Sequence, residues 1–528
     1  MRRRTPWLLA VALAGLLLTS ATAAAGPLSW THVPSSNPKQ AGTSYPNRLS
    51  PELTEATVAT GAMPLDGGTS AVPYYGYDAF SPPTVLTQST NEAHKTEPDK
   101  NTYLTLSDGQ PGADPHYDYG THFLYQGHES GTPGYITRIN LDADQAHRVT
   151  LLATTDTAGN SLPDFDGSTW DPWAQRLLFT AELGATGGVW AATLGYPSRV
   201  VDISGALGRG GYEGIQNDSD GNLWIIEDSG GSNGTANSHA RQPNSFVYRF
   251  VPVDPADLTQ GKLQVLQVIS ERTGQPITFH SGQADADIKS PDTLDLHTYG
   301  HSLETRWVTI HDTATDGTAP FGANALAKSA GGTPLKRPEN GQFQPGSGFK
   351  SFVFDETGDT NALTEAGSDY GGFGTVQQLH QSSPSADGGH IRVVYQGDVA
   401  HAGFDNVTFL SRHQVAFVED AGDALHTQRN ALDSGYVLDV TADYSSPSAP
   451  APVRFLAEGR DPSATFDAEH TTGNDGDNEI TGIHASDGDP TAGGILGAKL
   501  PALFSDGWRL FWTQQHGDNN TWEITPAR

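Results

Sequence analysis

The sequence predicts an all-β protein: a β-propeller of about six blades with an irregular N-terminal arm. Three observations lead there. Gly (60) and Pro (34) are abundant, and no long helical periodicity follows the first residues. Short apolar or alternating runs recur instead, among them Phe123-Leu-Tyr-Gln, Leu177-Leu-Phe-Thr, Leu223-Trp-Ile-Ile, Ile391-Arg-Val-Val-Tyr and Leu510-Phe-Trp-Thr. Each is bounded by Gly, Asp, Asn or Pro, the pattern of short strands separated by turns. Third, a unit repeats beneath the runs. An acidic or polar position leads into a strand, a turn follows, and a second apolar strand ends in an acid or amide. Asp166 to Glu182, Glu213 to Asp228 and Phe404 to Asp420 are the clearest copies. Looser ones run from Glu339 to Glu356 and from Glu479 to His516, and a partial one ends at Gln126-Gly-His-Glu129. Six diverged β units with uneven insertions fit a propeller.

The elements follow in chain order. Arg2, Arg3 and Arg4 precede an apolar run from Trp7 to Leu18, and small residues follow at Ala21-Thr-Ala and Ala23-Ala-Ala. Residues 1–25 are expected to be a signal peptide, by either general or twin-arginine export. The run is shorter than the roughly 20 residues a bilayer requires. The product is therefore expected to be secreted or periplasmic, without a membrane span. Residues 26–115, rich in Pro and Ser, are expected to form the irregular arm, and residues 116–528 the propeller. Insertions near 229–245, 270–335 and 462–500 are Gly-, Ser- and Asp-rich and are expected to be loops on one face.

Composition excludes several functions. There are 30 basic against 61 acidic side chains, a formal charge of −31, and the leader holds three of the arginines. Nucleic acid, which is bound by displacing counterions with cations, is excluded as a partner. Without any cysteine, disulfides, thiolate nucleophiles and thiolate metal ligands are excluded too. No Gly-x-Ser-x-Gly elbow, His-Glu-x-x-His pair or phosphate-cradling Gly-x-x-x-x-Gly-Lys-Ser/Thr stands out.

The repeat places acids at the ends of strands that would line a central channel, where several blades could aim carboxylates at one point. Glu129, Glu182, Glu213, Asp228, Glu339, Asp405, Glu419 and Glu479 are the candidates. One acid at a strand end is ordinarily a solvated turn residue; five or more converging would make a site for a hard cation, since Ca²⁺ takes about 6–8 oxygens. Fe³⁺ also accepts oxygen ligands. Asp218-Ser-Asp-Gly-Asn222 resembles part of a calcium loop, but before Leu-Trp it reads as a hairpin turn.

Several segments together resemble the PhoX family of bacterial alkaline phosphatases. Gln126-Gly-His-Glu129 is similar to the family's Asn-His-Glu. Thr169-Trp-Asp-Pro with Thr180-Ala-Glu182 is similar to its Trp…Cys-Glu-Glu stretch. Gly211-Tyr-Glu-Gly214 resembles its His-Glu-Gly, and Lys336-Arg-Pro-Glu-Asn340 its Arg-Pro-Glu-Asp. Glu479-Ile-Thr-Gly482 and Gln514-Gln-His-Gly517 resemble its closing segments. The order is preserved over about residues 115–528. The resemblance implies a six-bladed propeller and a calcium and iron cluster that hydrolyses phosphate monoesters. It implies Glu129, Glu182, Glu213, Asp228, Glu339 and Glu479 as metal ligands, and Arg337 as the catalytic residue gripping the phosphate of a small-molecule ester, in a monomer. Two departures stand out. The family's cysteine, an iron ligand, falls at or near Ala181, and its asparagine is Gly127 here. An all-oxygen site favours Ca²⁺ over a softer ion. A calcium-dependent lactonase-like propeller and a non-catalytic, calcium-stapled propeller remain rival readings.

Overall fold

The structure is a computed structural model that describes residues 28–39, 45–77, 96–131, 133–364, 366–459, 479–515 and 519–528. The expected signal peptide and His516-Gly517 lie outside these residues. Almost everything described is antiparallel sheet. Strands β1 (Arg48–Leu49) and β2 (Leu53–Ala59) come first. A meander follows of β3 (Pro98–Thr105), β4 (His122–His128), β5 (Ile136–Asn140) and β6 (Val149–Ala153). The next comprises β7 (Ser168–Asp171), β8 (Arg176–Ala181), β9 (Gly188–Ala192) and β10 (Val200–Asp202). The third has five strands: β11 (Tyr212–Asn217), β12 (Leu223–Glu227), β13 (Val247–Asp254), β14 (Asp257–Val268) and β15 (Leu303–Asp312). The fourth is β16 (Pro338–Phe343), β17 (Ser351–Glu356), β18 (Thr375–Gln381) and β19 (Gly388–Gln396). Then come β20 (Phe404–Phe409), β21 (Gln414–Glu419), β22 (Ser434–Asp439) and β23 (Val453–Ala457), and finally β24 (Glu479–Ser486), β25 (Arg509–Gln515) and β26 (Thr521–Pro526).

These strands form a propeller-like arrangement of five hydrogen-bonded sheets, not the six separate ones the repeat suggested. The count differs because the third and fourth meanders share an edge. Long β15 pairs with β19 through Leu303 to Arg306, giving one nine-stranded sheet. The insertion expected as a loop over 270–335 supplies that strand, with short helices at Ala284–Ile288, Pro291–Leu296 and Ala323–Ser329.

The first strand of each meander is innermost. β3, β7, β11, β16, β20 and β24 pack each against the next, and β24 returns to β3, which closes a ring. The segment expected as an irregular arm takes part in this closure. β2 adds to the outer edge of the last meander beside β26, β1 adds beside β23, and β3 lines the axis. Its polar Pro98-Asp-Lys-Asn start faces neighbours in the ring, so β3 lacks the apolar signature of a strand.

The core is divided rather than single, with apolar clusters lying between successive meanders. Phe123, Tyr125, Leu177 and Phe179 fill one such space, and Trp224, Phe343, Phe352 and Leu379 another. Tyr103, Leu124 and Phe511 join the last meander to the first. Strands packed on both faces read as continuous rather than alternating apolar runs. At the closing sheet the buried Trp512 ring stacks on Trp522 with centroids 4.1 Å apart, and its Nε1 donates to Glu55 of β2 at 3.0 Å. Trp512→Ala is expected to cost about 3–5 kcal/mol, read as a lower urea midpoint. An unchanged midpoint would show that β2 is not held there.

Candidate metal centre at the propeller axis

Every innermost strand enters the ring with the same irregularity. In β3, β11, β16, β20 and β24 the register slips near the start, so that two residues face one on the second strand. Ahead of β7, Asp166 and Gly167 both bond to the backbone of Thr180. Such a bulge bends the strand and re-aims a side chain. The first bulge residues are Asp99, Asp166, Glu213, Glu339, Asp405 and Ile480, all buried. Where the second bulge residue is glycine the reason is space. A Cβ on Gly167 would lie 2.5 Å from the Glu213 carbonyl oxygen, and one on Gly214 2.8 Å from that of Glu339.

A second set of side chains sits just past the ends of the second strands: Glu129, Glu182, Asp228, Thr357 and Asp420. The two sets combine by a rule. An inner acid, the strand-end acid of its own meander and the inner acid of the next meander come together. Asp99, Glu129 and Asp166 bring carboxylate oxygens within 4.8 Å of one another, and so do Asp166, Glu182 and Glu213. One further rotation would give Glu213, Asp228 and Glu339. There Arg337 enters instead: its Nε donates to Asp228 Oδ2 at 2.8 Å, and its Nη2 lies 2.7 Å from that oxygen and 3.7 Å from Glu339 Oε1. The Thr357 hydroxyl also donates to Glu339. Arg337 is held at a left-handed φ of 55°, a strain of about 1–3 kcal/mol. Its carbonyl accepts from Thr357 N at 2.7 Å, and next to it Lys336 Nζ is buried against both oxygens of Asp359 at 2.9 Å.

The donor set suits a hard cation. Asp166 is common to both groups, and its Oδ2 is buried with no hydrogen-bond partner among the described residues. A buried carboxylate in that state is costly unless a cation faces it. Burial pushes Asp99, Asp166, Glu182, Glu213, Glu339 and Asp405 well above the usual carboxylate range. Neighbouring carboxylates push the same way: Glu129 on Asp99, Asp99 on Asp166, Asp228 on Glu182 and Asp166 on Glu213. Burial opposes charge on Arg337, yet Asp228 and Glu339 hold its guanidinium above its ordinary value. A bound cation would invert the logic for the acids.

Of the residues picked out by sequence, Glu129, Glu182 and Glu213 lie in the two groups, while Asp228 and Glu339 lie around Arg337. Asp405 occupies a bulge position. Glu479 is displaced by one residue: it matches Pro98, Tyr212, Pro338 and Phe404 in register, and Ile480 stands where the acids stand. Among the described residues it joins neither group. Glu419 is engaged by Arg429 at 3.1 and 3.2 Å and by the backbone amides of Ala402 and Ser434. Asp218 is a hairpin residue, its oxygens accepting from Asp220 N, Asn222 N, Asn222 Nδ2 and Trp224 Nε1. Sequence reasoning missed Asp99, Asp166 and Lys100. Asp166-Gly matched Glu213-Gly in the repeat and could have been found; Asp99 and Lys100 lay in the presumed arm.

No protein-family model matches the chain, and no curated protein matches its sequence. Among solved structures, Pseudomonas fluorescens PhoX in complex with vanadate, a transition state analogue, is similar with a TM-score of 0.52 and 11% identity, over 94% of this chain and 98% of that one. The β-propeller domain of Myceliophteria thermophila Cps50 (Swd1) aligns at a TM-score of 0.35 and 11% identity, over 81% and 98%. At 11% identity the likeness to PhoX is one of fold. No helix among the described residues is long and apolar enough to cross a membrane.

The raised acids set a pH response. Their stabilising contribution is complete below the unfolded carboxylate value of about 4 and is lost as pH rises through the raised folded values. In chelator, the melting temperature should therefore fall between about pH 5 and pH 8. Added Ca²⁺ should restore more at the higher pH. Equal Ca²⁺ stabilisation at both would contradict the reading.

Proposed function

We propose that this chain is an exported, metal-dependent hydrolase of phosphate monoesters, working at the axis of a propeller-like fold closed by six inner strands. The observation that carries this is the pair of carboxylate groups sharing Asp166, set beside a guanidinium already oriented by Asp228. Asp99, Glu129 and Asp166 would hold one cation, and Asp166, Glu182 and Glu213 another. Ca²⁺ fits such an oxygen-only set. Fe³⁺ would do so only without the family's thiolate, since Ala181 is fully buried in an apolar cluster. Bound there, such ions supply Lewis-acid stabilisation of phosphoryl oxygens and activate water.

The chain's own residues do the rest. Arg337 is 21% exposed, and a guanidinium can pair with two phosphate oxygens at once. Asp228 and Glu339 fix its direction and keep it charged. Asp99, Asp166 and Glu213 project from bulges in a closed ring, so the ligand geometry is set by backbone rather than by loops. The fold similarity to PhoX, solved with a transition state analogue, supports the same reading. Gly127 departs from the family pattern for a steric reason: a Cβ there would lie 2.6 Å from that of Phe165.

A second reading has its own observation. Each carboxylate group takes oxygens from two neighbouring meanders, so cations would also fasten blades together. A non-catalytic, calcium-stapled propeller would melt earlier in chelator and turn nothing over.

p-Nitrophenyl phosphate hydrolysis by the purified chain separates the two. Turnover lost in chelator and restored by Ca²⁺, with or without iron, is expected. Absence of turnover with every metal in the folded, cation-stabilised chain would leave the stapling role. Arg337→Lys should lower kcat/KM roughly 10- to 100-fold while the bound metal stays constant, because an ammonium cannot reproduce the two-oxygen fork. An unchanged kcat/KM would remove Arg337 from the chemistry.

A further inference from the structure

The last meander places no acid at its inner bulge, because Ile480 holds that position. It does send an amide into the first carboxylate group. Gln515 ends β25, opposite Glu479 in register, and is buried at 1% exposure. Successive side chains of a strand point to opposite faces, and two neighbouring glutamines divide accordingly. Gln514 Nε2 donates to Glu458 Oε1 at 2.9 Å, on the side of the fifth meander. Gln515 Nε2 reaches the first meander instead. It donates to Glu129 Oε2 at 2.9 Å and to Asp99 Oδ2 at 3.1 Å, and the Glu97 carbonyl oxygen lies 3.4 Å away. Three oxygens therefore surround the end of one neutral side chain. Two of them belong to Asp99 and Glu129, which with Asp166 bring carboxylate oxygens within 4.8 Å of one another. Sequence comparison of the repeats gives no sign of this, because no equivalent inner acid marks the last unit.

We propose that Gln515 is a neutral oxygen ligand of the cation held by Asp99, Glu129 and Asp166. A carboxamide ends in a donor and an acceptor at equal reach, and a half-turn about its last side-chain bond exchanges them. Between two carboxylates alone, the NH2 end is favoured. Beside a cation that end is repelled, and the half-turn brings Oε1 to the place where Nε2 now stands. Ca²⁺ accepts amide carbonyl oxygens as readily as carboxylates, and three carboxylates bound through one oxygen each would leave about half of its roughly 6–8 places open. The two groups then differ in kind. The group of Asp166, Glu182 and Glu213 is built of carboxylates, whereas the first has an uncharged member from the last meander. Its cation would gather side chains from the last, first and second meanders, across the contact of β24 with β3 that closes the ring. This inference rests on reading the two carboxylate groups as cation sites.

The test is Ca²⁺ affinity, measured by competition with a fluorescent chelator, for wild type and Gln515→Met. Methionine keeps the length of the side chain and offers a soft thioether in place of the oxygen. Gln515→Met is expected to weaken one binding step at least about tenfold and to leave the other unchanged. The sign decides between the two roles of the amide. A side chain that only donated to Asp99 and Glu129 would compete with the cation, so its loss would tighten binding or leave it alone. Either of those results overturns the role of Gln515 and leaves the carboxylate cage standing. A wild type that binds no Ca²⁺ overturns both. Should Gln515→Met fail to fold, a crystal structure of the Ca²⁺-loaded wild type decides. Gln515 Oε1 is expected about 2.3–2.6 Å from an ion that Asp99 and Glu129 also hold. An ion held by those acids with the amide turned away from it would overturn the proposal.

Discussion

Asp99, Asp166, Glu213, Glu339, Asp355 and Asp405 all lie buried around one axis, with Glu129, Glu182 and Asp228 beside them. Like charges gathered out of water oppose folding unless protons or cations answer them. Among the described residues, Arg337 answers Asp228 and Glu339 directly, and Lys100 lies buried nearby against Asn340. The repulsion bears on the whole architecture, because the acids belong to the innermost strands and those strands are what close the ring. The bulges make the arrangement possible. By inserting one extra residue near the start of an inner strand they turn a carboxylate toward the axis in every meander but the last, where Ile480 takes that position, without breaking the ladder beyond it.

The bulges also explain why the site has a regular grammar. The same combination recurs between neighbouring meanders, with an inner acid, a strand-end acid and the next inner acid. It is available twice, occupied by Arg337 at the third step, and interrupted at the last meander by Ile480. The equivalent positions differ from step to step: carboxylates complete two of them, Arg337 enters the third, and Ile480 stands at the last. Fold alone does not assign chemistry, and the likeness to PhoX at 11% identity is a likeness of shape. The functional reading comes from this differentiation.

Much of this was legible in the sequence, and the failures have physical causes. The repeat of acid, strand, turn, strand and acid located Glu129, Glu182, Glu213, Asp228 and Glu339 because the unit is local: both strands and their turn lie within about twenty residues of chain, a short-range pattern. What periodicity could not register was the bulge, which shifts a strand by one residue. That is why Glu479 was aligned with acids that Ile480 in fact matches. Asp99 and Lys100 were overlooked because β3 runs, after Pro98, through four polar residues, and polar residues facing a channel resemble a loop. The closing strand β2 and the edge pairing of β15 with β19 depend on contacts hundreds or scores of residues apart, which no local pattern carries.

The most direct test of the account is calorimetric titration of Ca²⁺ into chelator-stripped wild type and Asp166→Asn. Asp166 is the carboxylate common to both groups. The account requires that this one change, which adds no bulk, weaken both binding steps together by at least about tenfold, a loss of about 1.4 kcal/mol at each. Weakening of one step alone, or binding indistinguishable from wild type, would contradict a cage built around a shared Asp166.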